Sequence, residues 1–284
     1  MTAAPPLQTA TIRLIGIDVD GTLVGTGGLI HPRVWEAVTR ARERGIHLAL
    51  CSGRPAFGLA LEYARRLHPD GWHAFQNGAS IVHLATGTSK SVPLPPAAVK
   101  SFIAEARATE NVLELYNDSG WVTESTAAWA EDHAKLLGVK FDPRPFESLE
   151  GCAVRAQWLL TLAQAQHMMS STHPGLEVAQ STSPLMPDTQ FVGFTHEGVS
   201  KASAMRTIAA AYGVDMEDVM YIGDSGNDLP ALRVVGHPVA MANAIPMVIQ
   251  TAKHTVGSDN AGGVADALEI AIASLEETAA ARRA

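Results

Sequence analysis

The sequence is poor in cysteine and carries no excess of positive charge. Its 284 residues include two cysteines, Cys51 and Cys152, which form no CxxC pair. A chain of this length buries enough surface to fold without disulfides or a structural metal, so the cysteine usage predicts a reduced, cytoplasmic location. Lysine and arginine total 21 against 29 acidic residues, a formal net charge of −8. That balance argues against a nucleic-acid binder that relies on an overall positive field, although a local basic pocket stays open.

Long apolar segments are also missing. The first ten residues have neither a basic stretch nor a long apolar one, so we expect no secretory signal peptide and predict a flexible leader over residues 1–10. The longest charge-poor stretch, residues 234–252, contains glycine, proline and asparagine. It is therefore predicted to fold as a buried strand, turn and helix rather than to cross a membrane. The eleven histidines show no HExxH or closely paired set, which argues against a zinc site.

An alternation of strand and helix patterns is present at both ends of the chain. Short apolar runs predict buried strands at Ile12–Ile17, Ile46–Cys51, Val219–Gly223 and Val239–Met241. Helical spacing and capping signals predict helices over Pro32–Arg44, Pro55–Leu67, Ser200 (the N-cap) to Gly213, Asp228–Val235 and Gly263–Ala281. This alternation predicts a doubly wound α/β core with a mainly parallel, Rossmann-like sheet.

The middle of the chain has a different pattern. Turn signals at Asn77-Gly78, Thr86-Gly87 and residues 117–120 separate β-prone runs and predict hairpins. Helices are predicted at Pro96–Ala108, Thr126–Leu137 and Ala163–Ser171, and strands at Ala156–Leu162 and Gln190–Thr195. We therefore predict an α+β cap domain over residues 85–193, inserted into a core formed by residues 1–84 and 194–284. The chain length agrees with two domains.

Two carboxylates follow the first predicted strand directly, in the segment Asp18-Val19-Asp20-Gly21-Thr22. The carboxyl end of a strand in an open α/β sheet borders the crevice where such proteins bind ligands. Two acidic residues spaced two apart can face one site there. The same residues are also ordinary turn chemistry, so this segment alone does not decide between a turn and a site.

Three further segments place polar residues in comparable positions. Ser52 and Gly53 follow the second strand, where a simple turn is the alternative. Lys201 follows Ser200 at a helix start, where a lysine is unfavourable to the helix dipole, and the alternative is a solvated surface lysine. Residues 223–228 (GDSGND) again put carboxylates at a strand end. A helix-capping loop would explain one aspartate there, but not two together with an asparagine.

In this order, the four segments resemble the motifs of the haloacid dehalogenase (HAD) superfamily of phosphohydrolases. Those motifs are DxDGT, a Ser or Thr after the second strand, a lone Lys, and GDxxxD. In this sequence they are Asp18–Thr22, Ser52, Lys201 and Gly223–Asp228. Residues 77–79 (NGA), 198–201 (GVSK) and 241–244 (MANA) are similar to the Cof-type branch, which has a class IIB cap. The resemblance extends over residues 11–270 and implies a cap inserted between the second and third motifs.

The resemblance implies a chemical role for each acidic residue. Asp18 is expected to be the nucleophile and a metal ligand, and Asp224 the second carboxylate ligand. Asp20 is expected to be the general acid and base, with its side chain directed away from the metal and its backbone carbonyl as a third ligand. The implied cofactor is Mg²⁺, which prefers oxygen ligands. Asp228 is expected either to bind the metal directly or to orient the groups that do.

The resemblance also implies how the substrate phosphate is held. Lys201 and the Ser52 hydroxyl are expected to contact the phosphoryl oxygens, assisted by backbone N–H groups at Gly21 and Gly53. Asn227 is expected to orient the phosphate and the metal-bound waters. These donors would offset the repulsion between a phosphate dianion and an attacking carboxylate.

These features predict a Mg²⁺-dependent phosphatase that acts on a small phosphorylated metabolite through an aspartyl-phosphate intermediate, with sugar phosphates as the leading class. The alternatives among enzymes are a phosphomutase and a phosphatase of pyridoxal phosphate or nucleotides. The alternative from another class is a non-catalytic binding or regulatory module that keeps the fold. The expected partner is a small phosphate ester, with no nucleic acid, no membrane and no obligate protein partner.

Overall fold

The computed structural model describes residues 11–183 and 185–281. The leader predicted over residues 1–10 lies outside this part of the chain. The chain folds into two compact units. Among the described residues, the first unit comprises 11–51 and 205–281, and the second unit comprises those of Ser52–Ala204.

Strands and helices alternate along much of the described chain. The strands in chain order are β1 (Leu14–Ile17), β2 (His47–Leu50), β3 (Trp72–Phe75), β4 (Ser80–His83), β5 (Thr88–Ser89), β6 (Val112–Tyr116), β7 (Trp121–Val122), β8 (Arg155–Leu160), β9 (Leu176–Ser183), β10 (Met186–His196), β11 (Val219–Gly223), β12 (His237–Met241) and β13 (His254–Val256). The α-helices are α1 (Pro32–Glu43), α2 (Gly58–Leu67), α3 (Pro96–Thr109), α4 (Ala128–Leu137), α5 (Leu162–Ser170), α6 (Lys201–Tyr212), α7 (Leu229–Leu232), α8 (Pro246–Thr251) and α9 (Gly263–Ala281).

A five-stranded parallel sheet forms the centre of the first unit. Its strand order is β13-β12-β11-β1-β2, and each neighbouring pair runs parallel. Every residue of β1 and β11 is buried, as a continuous apolar run predicts. The chain passes from β1 to β2 on one side and later returns on the other side with β11. The sheet therefore has a switch point between β1 and β11, and in open α/β sheets that point marks the ligand-binding crevice.

The expected α/β core with a mainly parallel sheet is confirmed, and most element ends lie close to the predicted ones. The charge-poor stretch 234–252 contains β12 and α8, as predicted. The second helix starts three residues late, at Gly58 rather than Pro55. The ring of Phe57 packs against a buried cluster that includes Tyr116 and Trp121. This tertiary contact accounts for the extended backbone that precedes α2.

Antiparallel sheets form the second unit. The larger sheet has the order β7-β6-β8-β10-β9 and the smaller one the order β3-β4-β5. The turns that join β3 to β4, β4 to β5 and β6 to β7 lie at the three predicted hairpin positions. The larger sheet packs against α3 and α5 through a core that includes Phe102, Trp158 and Phe194. The expected additional α+β cap domain, built on an antiparallel sheet, is therefore present.

Strand β9 is an element that the sequence pattern does not predict. Its segment LEVAQSTS has apolar residues only in its first half, and none of its residues is fully buried. The apolar alternation that marks a half-buried strand is limited to Leu176 and Val178, which pack against the core of the larger sheet. The segment becomes a strand at the edge of the sheet because it pairs with β10.

The second unit begins at Ser52 and so extends beyond the predicted insert of residues 85–193. The larger sheet contacts the preceding hairpins through polar bonds. The carboxylate of Asp118 in the β6–β7 turn accepts hydrogen bonds from the hydroxyls of Ser80, Ser89 and Ser91. The predicted division into core and cap at residues 85 and 193 stays a prediction. Among the described residues, no helix is long and apolar enough to cross a membrane.

Candidate active site

Three carboxylates of the first unit lie together at the switch point of the parallel sheet. Asp18 directly follows β1, Asp224 directly follows β11, and Asp228 lies four residues further on. Each offers one carboxylate oxygen, and these oxygens all lie within 4.8 Å of one another. The pairing of β1 with β11 brings the first two together, since Asp18 N–H donates to Ile222 O at 3.0 Å. Parallel strands end at the same sheet edge, so aspartates far apart in sequence meet there.

A compact turn holds the backbone after β1. Leu23 N–H donates to Asp18 O at 3.2 Å, and Val24 N–H donates to Val19 O at 2.8 Å. Gly21 N–H donates to Val24 O at 3.0 Å. The chain therefore folds back over the end of β1, and the Asp18 side chain is buried, with 5% of the residue exposed.

Position 21 requires glycine for two reasons: its backbone has a positive φ, and the Asp224 side chain approaches it closely. Its φ is +80°, and a Cβ atom there would lie 2.5 Å from Asp224 Oδ2. The Thr22 hydroxyl donates to Asp224 Oδ1 at 3.1 Å. Asn243 Nδ2 donates to Gly21 O at 2.8 Å and so ties the turn to the loop after β12. The sequence pattern assigns no role to the Thr22 hydroxyl or to the Asn243 amide, because these contacts depend on the sheet pairing.

Asp228 accepts hydrogen bonds at both of its carboxylate oxygens. It is fully buried, and its Oδ1 accepts a hydrogen bond from the Tyr221 hydroxyl at 2.7 Å. Its Oδ2 accepts from the backbone N–H groups of Asp224 at 3.1 Å and Ser225 at 3.0 Å. Burial, reinforced by the nearby Asp228 carboxylate, raises the pKa of Tyr221 well above its usual value, so the phenol stays a donor. Both oxygens thus have partners, which favours the alternative in which Asp228 orients Asp224.

Asp20 and Asn227 lie at the exposed margin of the first unit. Both residues are exposed, in contrast to Asp18. Among the residues that the structure describes, the Asp20 carboxylate does not belong to the three-carboxylate cluster. Asn227 Oδ1 accepts a hydrogen bond from the Ser225 hydroxyl at 2.8 Å. An exposed carboxylate can exchange protons with a substrate and with water, as a general acid and base must.

In the second unit, Ser52 starts a buried loop at the point where the chain leaves β2. Ser52 is 1% exposed, and its N–H donates to Ala74 O at 3.0 Å. The N–H of Arg54 donates to Ser52 Oγ at 3.1 Å. Among the described residues, none accepts a hydrogen bond from the N–H of Gly53. A hydroxyl and a backbone donor are thus presented by one short loop.

A second loop of this unit contains three consecutive left-handed residues. Gln76, Asn77 and Gly78 have φ values of +53°, +56° and +102°. For the two non-glycine residues this conformation is strained, and such strain clusters at functional sites. A Cβ atom on Gly78 would lie 2.4 Å from Ser200 O, so only glycine permits this approach of the start of α6.

Lys201 is the first residue of α6 and is 1% exposed. The alternative of a solvated surface lysine is therefore wrong. The predicted N-cap is present, since Ser203 N–H donates to Ser200 Oγ at 3.2 Å while Ser200 N–H donates to Ser203 Oγ at 2.9 Å. A buried ammonium at a helix start is unfavourable unless anionic groups or acceptors face it, which is typical of a binding site for an anion.

These positions can be compared with those of known proteins. A family model of haloacid dehalogenase-like hydrolases matches residues 15–268. The chain belongs to this family. The expected Cof-type classification within this family, with a cap domain built on an antiparallel sheet, is confirmed.

Relatives of this HAD-family chain are similar along most of their length. An HMP-PP phosphatase of Cronobacter sakazakii is 27% identical over 263 residues, covering 85% of this chain and 88% of its own. A 5-amino-6-(5-phospho-D-ribitylamino)uracil phosphatase of Bacillus subtilis is 24% identical over 276 residues, which cover 89% of this chain and 96% of the relative. The crystal structure of a haloacid dehalogenase-like hydrolase from Bacteroides thetaiotaomicron gives a TM-score of 0.79 at 25% sequence identity. The match covers 91% of this chain and 99% of the other. The expectation of a HAD-type phosphoric monoester hydrolase is thereby confirmed at the level of enzyme class.

Proposed function

We propose that this HAD-type hydrolase is a Mg²⁺-dependent phosphatase that acts on a small phosphorylated metabolite through an aspartyl-phosphate intermediate. The observation that supports it is the carboxylate cluster of Asp18, Asp224 and Asp228 at the switch point of the parallel sheet. Carboxylates this close repel one another unless a proton or a cation lies among them. A site built this way is suited to binding a cation.

The donor set fits Mg²⁺. The cluster consists of carboxylate oxygens, without histidine or cysteine, and hard divalent cations select such ligands. Asp18 and Asp224 would hold the ion, together with the backbone carbonyl of Asp20. Asp228 would keep Asp224 in place through its bonds to the backbone of that loop. The ion would neutralise charge on the substrate phosphate.

The chain's own residues perform the two displacements. A carboxylate oxygen of Asp18 attacks phosphorus, and the bond from phosphorus to the ester oxygen breaks while Asp20 gives that oxygen its proton. Asp20, now ionised, takes a proton from water as the water attacks the aspartyl-phosphate. Inorganic phosphate leaves, and Asp18 is regenerated. Each step is overall a transfer of one phosphoryl group.

The remaining motif residues are proposed to hold the phosphoryl group. The ammonium of Lys201 would oppose the charge of the phosphate and of Asp18. The Ser52 hydroxyl and the N–H of Gly53 would donate to phosphoryl oxygens, and their loop already has a free backbone donor among the described residues. The N–H of Gly21 is less suited to this role than expected, because it donates to Val24 O at 3.0 Å. Asn227 is proposed to orient water and phosphate at the exposed margin.

Sugar phosphates are proposed as the leading substrate class, since the resemblance implies a cap that encloses such molecules. The names of the two relatives indicate heterocyclic phosphate esters and pyrophosphates as a second group to test. A phosphomutase remains the enzymatic alternative, distinguished by transfer of phosphate to a second sugar rather than to water. A non-catalytic module is the alternative outside enzymes. The two cysteines form no disulfide, which supports the proposed cytoplasmic location.

Turnover of a panel of phosphate esters in the presence of Mg²⁺ tests the proposal, with Asp18→Asn as the decisive variant. The substitution removes the nucleophile at nearly constant shape, so kcat should fall on the order of 10⁴-fold or more. Asp70→Asn, which removes the charge of an exposed aspartate, is the matched control and should leave kcat unchanged. A variant that keeps most of its turnover would exclude the aspartyl-phosphate route. Full activity in EDTA would exclude the metal, and no turnover of any ester by the wild type would favour the non-catalytic module.

A further inference from the structure

An unusual arrangement of hydrogen bonds holds the loop that starts at Ser52. Three successive carbonyls, those of residues 52–54, each accept a hydrogen bond. The backbone N–H of Asn77 donates to the first at 2.9 Å, and that of Gln76 donates to the third at 3.0 Å. The middle carbonyl, that of Gly53, accepts instead from a side chain, Arg155 Nη1, at 2.7 Å. An arginine 102 residues away in sequence thus completes the set.

Arg155 is built into the antiparallel sheet of the second unit. It is the first residue of β8 and is 9% exposed. Its Nη1 also donates to Gln76 Oε1 at 3.1 Å, and its Nη2 donates to Gln157 Oε1. The guanidinium lies against the backbone of Gly193 on β10, where a Cβ atom would stand 2.8 Å from Nη2. The group therefore has a fixed position, with little room to move.

A buried polar network supports the guanidinium from behind. Gln157 Nε2 lies 3.4 Å from His133 Nε2, and His133 Nδ1 lies 2.9 Å from a carboxylate oxygen of Glu114. The amide nitrogen of Gln157 can only donate, so His133 Nε2 accepts and its Nδ1–H donates to Glu114. The Tyr116 hydroxyl donates to the same carboxylate. The network contains a buried guanidinium and a buried carboxylate, and leaving a buried polar group without its partner is costly.

The peptide group between Gly53 and Arg54 transmits this anchoring to the serine. Arg155 holds the carbonyl of that peptide, and the N–H of the same peptide donates to Ser52 Oγ at 3.1 Å. In a planar trans peptide the C=O and N–H point in opposite directions, so fixing one fixes the other. Since the Ser52 oxygen is used as an acceptor, its hydroxyl proton stays available to a further acceptor.

We propose that Arg155 is a positioning residue for Ser52: through the Gly53–Arg54 peptide it orients the serine hydroxyl as a donor to the substrate phosphate. The role rests on the proposed phosphatase function. Arg155 acts without touching the reacting atoms: three of its five N–H donors are engaged by Gly53, Gln76 and Gln157, and its influence on Ser52 passes through the Gly53 carbonyl.

A double-mutant cycle with Ser52 separates this role from a merely structural one. Arg155→Met removes the guanidinium but keeps an apolar side chain. KM for the best ester and Ki for inorganic phosphate should each rise about tenfold, the value of about one hydrogen bond, with a smaller change in kcat. Ser52→Ala should give a similar rise. Because both act on one contact, the double variant should be only slightly worse than either single variant.

Arg144→Met is the matched control. Arg144 is also a second-unit arginine that donates to a backbone carbonyl, that of Trp121 at 2.9 Å, so its loss should leave KM and Ki unchanged. If Arg155→Met does not fold, as judged by its melting transition, Arg155→Lys provides the same comparison with the charge retained. Unchanged KM and Ki in folded variants of an active enzyme, or full additivity with Ser52→Ala, would overturn the positioning role alone. A wild type that neither hydrolyses esters nor binds phosphate would overturn the proposed function, and the positioning role with it.

Discussion

Replacing Asp224 by asparagine should make the protein more stable without metal and deprive it of stabilisation by metal. In the folded chain, Asp224 shares a cluster with Asp18 and Asp228 in which carboxylate oxygens lie within 4.8 Å of one another. Two unit charges at 4.8 Å repel by about 3.5 kcal/mol at an effective dielectric constant of 20. In the unfolded chain this repulsion is absent, so within the cluster the charge of Asp224 works against the folded state, and a bound cation offsets the repulsion.

The size of the effect is limited by protonation. At pH 7 a carboxylate escapes the repulsion by taking up a proton, at a cost of about 4 kcal/mol. The repulsion in the folded chain therefore cannot exceed this cost, and neither can the stability that the asparagine substitution gains by removing it. The substitution also weakens the hydrogen bond from the Thr22 hydroxyl to Asp224 Oδ1 by about 1 kcal/mol, because the acceptor loses its charge, and this loss offsets part of the gain in stability. The net expectation is a gain in the free energy of unfolding of about 2 kcal/mol in a chelator.

In saturating Mg²⁺ the wild type should be more stable than Asp224→Asn, which is the reverse of their order in a chelator. A ligand at one hundred times its Kd stabilises the folded state by about 2.7 kcal/mol, and a variant that lacks one ligand should gain much less. The assay is chemical unfolding of wild type, Asp224→Asn and the exposed-site control Asp70→Asn, each in EDTA and in saturating Mg²⁺. Equal gains from Mg²⁺ in wild type and Asp224→Asn would refute the assignment of the ion to this cluster. A variant less stable than wild type in EDTA would refute the argument from repulsion.

Two further substitutions test buried polar groups. Tyr221→Phe removes the hydroxyl that donates to Asp228 Oδ1 at 2.7 Å and should lower the free energy of unfolding by about 1–3 kcal/mol. Tyr63→Phe is the control and should be near neutral. A loss of stability no larger than that of the control would contradict a stabilising hydrogen bond. Burial lowers the pKa of His73 to about 4, so the unfolded chain binds more protons between about pH 4 and 6.5, and stability falls as pH falls through that window. Wild type should therefore lose about 3 kcal/mol relative to His73→Gln between pH 7 and pH 4 in chemical unfolding, whereas a gap independent of pH would show that His73 is not held neutral.

The local pattern of apolar and polar residues was sufficient to predict elements of the parallel-sheet core. The run Val219–Gly223 is apolar at every position except its final glycine, and strand β11 has these ends. Helix α9 likewise covers Gly263–Ala281, as predicted. The segments of β1 and β11 are each followed by aspartate, so the presence of carboxylates at strand ends could be derived from residue order alone. Such predictions succeed because burial on both faces requires continuous apolar residues.

Local pattern failed where neighbours distant in sequence decide the outcome. Lys201 could be assigned to the surface from its segment, yet it is buried. Strand β9 has apolar alternation only at Leu176 and Val178, and its pairing with β10 makes it a strand of eight residues. From its segment, Asp228 is expected either to bind the metal or to orient the groups that do, and only the structure shows that Tyr221 and the Asp224 backbone donate to it. In each case the deciding partner is set by packing rather than by the residues beside it.

The sequence by itself determined the order and chemical type of the polar groups, the strands that precede Asp18 and Asp224, and the family. The tertiary structure decided which groups meet. The parallel pairing of β1 with β11 joins segments about two hundred residues apart and sets the spacing of the carboxylates. The contact of Arg155 with Gly53 is likewise a product of packing. Hydrogen bonds act over about 3 Å, so they depend on strand register and loop conformation, which no local pattern of apolar and polar residues specifies.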